Sequence, residues 1–138
     1  MTRIKLQNAY DLAKARQGTL EVDCVRTLEM DGRVNTSMTL LVIPEEISSF
    51  LGLPVFGQRP IRLADGRVRN FPTVGELCIE ILGRTMSCDA VVMPVVTTVL
   101  IGHVVLTALD LVVDTESGDV IGNPDHPDGP VLDALSAA

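Results

Sequence analysis

The apolar residues of this chain fall in short runs, each closed by a turn-forming residue. The longest, from Ala90 to Leu100, is broken by Pro94 and two threonines, whereas a bilayer-spanning helix needs roughly 18 apolar residues in succession. Runs of this length build strands instead. Leu77, Ile79 and Ile81 alternate with Glu76, Cys78 and Glu80 up to Gly83-Arg84, the period of two that buries one face of a strand. Leu40-Leu41-Val42-Ile43 and Val99-Leu100-Ile101 are unbroken, the pattern of buried strands. Met86 to Met93 and Leu111 to Val113 complete the set. Branched aliphatics fill these runs and aromatics make up only 3% of the chain, which favours strand packing over a surface that stacks bases or sugars.

Between the strands, local signals predict the connections. Thr2 to Leu6 has the pattern of a short strand, and the polar stretch from there to Gly18 carries no assignable element. Leu20, Val22 and Cys24 alternate before Val25 and Leu28 break the register, which predicts a strand with a bend or bulge. Asp31-Gly32 predicts a hairpin turn. Pro44 suits the first turn of a helix, Glu45 and Glu46 favour its positive end, and Ile47, Phe50 and Leu51 form an apolar stripe that Gly52 stops. Ile61 and Leu63 lead into a hairpin that turns at Asp65-Gly66, where the aspartate is turn chemistry first. Val105, Leu106 and Leu109 space as a short helix, and Thr115 to Asp119 as a turn. With 138 residues, 46% of them hydrophobic, one core is the expectation. It is assigned to residues 1–122, with a loosely ordered Pro/Asp-rich tail over 123–138 that holds a short helix from Val131 to Leu135.

A net charge of −7 and a pI near 4.6 repel phosphates and anionic lipid alike, so neither nucleic acid nor a membrane is an expected partner. Met1 to Tyr10 lacks the apolar core of a secretory signal, and a soluble, cytoplasmic protein is expected. Cys24, Cys78 and Cys88 are odd in number and show no CxxC spacing, so they predict buried thiols and neither a disulfide framework nor a zinc site. His103 and His126 have no metal-ligand spacing, and no metal or cofactor is expected. Asp110 and Asp114 flank the last strand as solvated strand ends. No triad, phosphate loop or metal motif is present.

Taken in order, these pieces resemble the retropepsin-like aspartic proteases, closest to their bacterial branch, over about residues 20 to 114. The family's catalytic loop runs hydrophobic-Asp-Thr/Ser-Gly-small, and the matching stretch is Val34-Asn35-Thr36-Ser37-Met38. Its later signature of two hydrophobic residues, glycine and a short helix is matched by Leu100-Ile101-Gly102-His103-Val104. The Pro-Glu-Glu-Ile helix start and the Leu-Ala-Asp-Gly flap are shared as well. The resemblance implies a mainly β, single-lobe closed barrel of the acid-protease type with one or two short helices. It also implies a homodimer that holds a peptide or protein ligand under its flaps. The catalytic position falls on Asn35, with Thr36 and Ser37 beside it, and the substrate-binding flap on Ala64, Asp65, Gly66 and Arg67. The tail beyond Asp119 does not resemble the interface strand of the viral enzymes.

In that family two aspartates, one from each chain, share a proton and act as base and acid. An amide cannot take a proton from water near neutral pH, so a pair of Asn35 side chains removes general acid-base catalysis, worth about 10² to 10⁴ in rate. Ser37 stands where the family has glycine and adds crowding. The expectation is a peptide-binding homologue without peptidase activity. Two further readings share these residues: an active aspartic endopeptidase in which Asp was replaced at position 35, and an unrelated small β-barrel interaction module with an accidental match.

Overall fold

The computed structural model describes residues 1–133. Strand β1 (Thr2–Asn8) runs directly into helix α1 (Ala9–Arg16). Asn8 makes the switch: its side-chain oxygen accepts from the Asp11 N–H at 3.0 Å and caps the helix, while its side-chain amide donates to the Leu51 carbonyl at 2.8 Å. Val22–Cys24 is a single 3-10 turn and not the strand that its alternation predicts. Val22 and Cys24 are exposed, so the alternation there marks no buried face. Strand β2 (Thr27–Val34) continues through Asp31-Gly32 where a hairpin turn was expected. Gly32 lies opposite both Thr2 and Val99, and a Cβ on it would stand 3.1 Å from the δ-methyls of Ile4 and Ile101. The glycine there admits close packing inside a strand.

Strand β3 (Val42–Ile43) leads to helix α2 (Glu45–Leu51), which Pro44 opens and Gly52 ends in the left-handed region at φ 64°. Phe50, expected on its apolar stripe, is 56% exposed; Ile47, Ser48 and Leu51 face inward instead. Strands β4 (Val55–Arg62) and β5 (Val68–Ile81) form a long hairpin, followed by β6 (Arg84–Val92) and β7 (Val99–Ile101). Helix α3 (His103–Ala108) and the two-stranded sheet of β8 (Leu111–Val113) and β9 (Val120–Gly122) complete the described chain. Among the described residues there are three α-helices, where one or two were expected.

Six strands in the order β1-β2-β7-β3-β6-β5 close into a barrel through the antiparallel pairing of β1 with β5, which removes the open edges of that sheet. The expected mainly β closed barrel is therefore present. Its interior holds Ile4, Leu6, Ile43, Ile79, Ile81 and Ile101, each at most 2% exposed. Strand β4 pairs with β5 alone and stands outside the barrel. Among the described residues no helix is long and apolar enough to cross a membrane. The thiols are less buried than expected: Cys24 is exposed, and Cys78 and Cys88 are half-buried.

The segment after β9 has no helix or strand among its described residues and meets Asp110 at three points. Asp110 is not a solvated strand end; it is buried and accepts from the Val131 N–H at 2.9 Å, the Asn123 side-chain amide at 3.0 Å and His126 Nδ1 at 2.5 Å. Residues 131–133 are not helical, and the rest of the helix expected over 131–135 lies outside the described residues. The Val131 and Asn123 hydrogen bonds, with help from His126, hold the Asp110 carboxyl at about 2, below its usual 3.8. Because the folded value is the lower one, this clasp is fully present above about pH 4 and is lost as pH falls through about 2. Asp110→Ala is expected to expose residues 123–131 to limited proteolysis while the barrel survives. Equal cleavage rates for the variant and the parent would contradict the clasp.

Candidate functional site

Asn35 follows β2 at the point where that strand runs parallel to β7. Val34 lies opposite Ile101, and the Asn35 N–H donates to the Ile101 carbonyl at 3.0 Å. The next residues turn tightly. The Asn35 side-chain oxygen accepts from the Ser37 N–H at 3.1 Å and the Ser37 hydroxyl at 2.6 Å, and the Met38 N–H donates to the Asn35 carbonyl at 3.0 Å. This is an Asx turn, a conformation that Asn and Asp side chains favour alike. Within the chain, Ser37 is exposed and folds back on Asn35, so the crowding expected from it is absent.

Beyond the turn the backbone passes under the start of α3. The His103 and Val104 N–H groups donate to the Met38 and Thr39 carbonyls at 3.0 and 3.1 Å. Gly102 makes this crossing possible: a Cβ there would sit 2.3 Å from the Leu40 carbonyl oxygen. The two sequence signatures, Asn35-Thr36-Ser37 and Leu100-Ile101-Gly102, are thus joined through backbone hydrogen bonds.

The hairpin expected as a flap turns where its sequence indicates. Gly66 adopts φ 86°, its N–H donates to the Leu63 carbonyl at 2.9 Å, and the Asp65 carboxylate accepts from the Arg67 N–H at 2.9 Å. Asp65 therefore does turn chemistry. A groove of about 440 Å³ separates strand β4 from the Asn35 loop, with Ser37, Met38 and Leu40 on one wall, Arg59 and Ile61 on the other, and Val42 and Val91 in its floor. Of the residues singled out from sequence, Ser37 lines this groove. Thr36 opens instead on a shallow crevice with Met1, Arg33 and Val113, and the hairpin tip, Ala64 to Arg67, lies beyond the groove lining. Sequence reasoning missed Arg59, Ile61, Met38 and Leu40. The arginine-rich composition of the hairpin was the available signal for the first of these.

The groove offers polar groups for holding a chain and none suited to proton transfer: the hydroxyls of Ser37 and Thr39 and the guanidinium groups of Arg59 and Arg62. Asn35 and Thr36 lie outside its lining. Cys88, in a smaller apolar cavity of about 110 Å³ that shares Leu40, Arg59 and Val91 with the groove, is no nucleophile: burial pushes its thiol up to about 12, with Asp89 adding to the effect. Among the described residues no group of three His, Cys, Asp or Glu side chains is placed to hold a metal ion. No protein-family model matches this sequence, and no curated protein matches it.

Proposed function

We propose that this chain is a retropepsin-like aspartic protease homologue that binds peptide or protein segments in the groove under its hairpin and does not cleave them. The observation that carries this reading is the seat of Asn35. It sits at the end of one of two parallel strands, in a turn locked to the Gly102 crossing, beside a groove that a separate hairpin overhangs. The resemblance puts the family's aspartate at this position, and an amide there leaves binding groups without an acid or a base. The working unit in this reading is a homodimer, since the family's site exists only where two such loops meet. The exposed Thr36 is free to face a second copy.

The test is cleavage of a mixed peptide library, from acid to neutral pH, by the protein and by Asn35→Asp in parallel. Asp at this position can accept both Ser37 hydrogen bonds that Asn35 Oδ1 now accepts, so the loop is expected to keep its shape. The parent should leave the library intact, while the variant should cut it at least about 10² to 10⁴ faster than any parental background. Cleavage by the unaltered protein would refute the loss of activity. Silence from both proteins, with a monomer in sedimentation, would point to an unrelated barrel.

A further inference from the structure

Charge is spread unevenly over this molecule. From Val55 to Asn70 the hairpin carries Arg59, Arg62, Arg67 and Arg69 against Asp65 alone, a net of +3. The whole chain carries −7, so everything outside the hairpin carries −10.

Strand register relates these arginines to the apolar residues of the hairpin. Residues opposite one another on antiparallel strands project from the same face, and neighbours along a strand from opposite faces. Arg59 lies opposite Phe71, and Ile61 opposite Arg69. Phe71 is buried, and Ile61 packs with it on the cluster of Val42, Val91 and Met93. The face that bears Arg59 and Arg69 is therefore the face turned to the barrel. Arg59 and Arg62 line the groove, and the Arg69 guanidinium, beyond that lining, lies 5.9 Å from the centre of the Phe71 ring.

Among the described residues neither Arg59 nor Arg69 forms an ion pair, and the one ion pair of the hairpin joins Arg67 to Asp65 at 3.6 Å in open solvent. Asp89 is the carboxylate that lines the smaller cavity together with Arg59. Arg59 and Arg69 are both exposed, so their guanidinium groups attract carboxylates as surface charges that salt screens. Guanidinium groups also match carboxylates in a two-pronged geometry.

We infer that the groove selects acidic peptides: extended segments in which Asp or Glu side chains meet Arg59 and Arg62 in the groove and Arg69 beside it, while apolar neighbours settle on Met38, Leu40 and Ile61. This rests on the peptide-binding reading above and narrows it to one substrate class. A nucleic acid fits less well. Its backbone would meet the −10 of the remaining chain, and there are few aromatic rings on which bases could stack.

Fluorescence anisotropy distinguishes these cases. The probes are three labelled peptides of one length that share their Leu and Val positions and carry Glu, Gln or Lys elsewhere, together with a short oligothymidine strand. They are titrated with the full chain, with Arg59→Gln, Arg62→Gln and Arg69→Gln, with Arg59→Lys, and with Arg3→Gln as a cation outside the hairpin. The Glu peptide should bind at least about tenfold tighter than the Gln peptide, and the Lys peptide should not bind. Each hairpin Gln variant should cost about tenfold for the Glu peptide, added salt should weaken it, Arg59→Lys should recover part of the loss, and Arg3→Gln should change nothing. Arg59, Arg62 and Arg69 are all exposed, so the variants are expected to fold, which circular dichroism would verify. If the three peptides bind equally and the hairpin variants are silent, the charge selection is overturned and the peptide-binding reading stands. If no peptide binds, or oligothymidine binds in preference, both are overturned.

Discussion

Alanine at position 102 is expected to destabilise this protein by about 3 kcal/mol or more, although it adds a single methyl group. Gly102 is buried and has φ −82° and ψ 171°, a conformation any residue can adopt, so backbone strain plays no part. The obstacle is space. The new Cβ would lie 2.3 Å from the Leu40 carbonyl oxygen and 2.6 Å from the carbonyl carbon and oxygen of Thr39. These are backbone atoms, and no side-chain rotation can move them away. Relief requires residues 38–40 to separate from the start of α3, which breaks the bonds from His103 and Val104 and withdraws one wall of the groove. A loss of this size is a large part of the 5 to 15 kcal/mol that holds an ordinary domain together. It should lower the thermal midpoint by on the order of 10 °C. Gly57 is the control: nothing lies within 4 Å of its would-be Cβ, so Gly57→Ala should stay within about 0.5 kcal/mol. Thermal melts followed by circular dichroism compare the two, and similar midpoints for both variants would remove the steric account of the crossing.

The parts of the fold legible in the sequence are those whose signals are local. Helix α2 begins at Pro44 and stops at Gly52, the hairpin turns at Gly66, and α3 buries Val105, Leu106 and Leu109 at the expected spacing. Each rests on residues a few positions apart. Where the deciding contact came from elsewhere in the chain, local reasoning failed for a definite reason. Asp31-Gly32 has the chemistry of a turn, but the methyl groups of Ile4 and Ile101 need the room that Gly32 leaves. Helix α1 has little apolar character of its own and is secured by Asn8 and by Arg26. Asp110 has the pattern of a solvated strand end until Asn123, His126 and Val131 close on it from the following segment.

The candidate site divides along the same line. The Asn35 turn is local, and Asn35-Thr36-Ser37 marks its position directly. The opposite wall of the groove, Arg59 to Arg62, is set by the register of β4 on β5, which puts Arg59 and Ile61 opposite Phe71 and Arg69. Register depends on pairing partners and on the irregularity between Val55 and Gly57, neither of which a run of alternating residues discloses. The charge imbalance of the hairpin, by contrast, can be counted in the sequence; its meaning waits on knowing which face each arginine occupies.

Removing the Asp11 carboxylate is expected to cost about 2 kcal/mol at neutral pH, and the loss should shrink in acid. Asp11 is 4% exposed and accepts from Arg26 Nε at 2.8 Å, Arg26 Nη2 at 3.0 Å and the Arg26 N–H at 3.1 Å. It thereby joins α1 to the segment that enters β2. Those side-chain hydrogen bonds, opposed by burial, hold its carboxyl at about 2 against an ordinary 3.8. That depression corresponds to about 2 kcal/mol once discounted because the Arg26 side chain is 46% exposed and partly screened by water. The folded value lies below the unfolded one, so the contribution is complete above about pH 4 and disappears as pH falls through about 2. Urea unfolding of the parent and Asp11→Ala at neutral pH and near pH 3 should show a stability gap that narrows by about half at the lower pH. Asp11→Asn keeps an oxygen for the Arg26 N–H and should lose about 1 kcal/mol, with little pH dependence of its own in that range. A gap of the same size at both pH values for Asp11→Ala would mean that lost packing of α1 against the barrel, and not the charge on Asp11, is what the substitution removes.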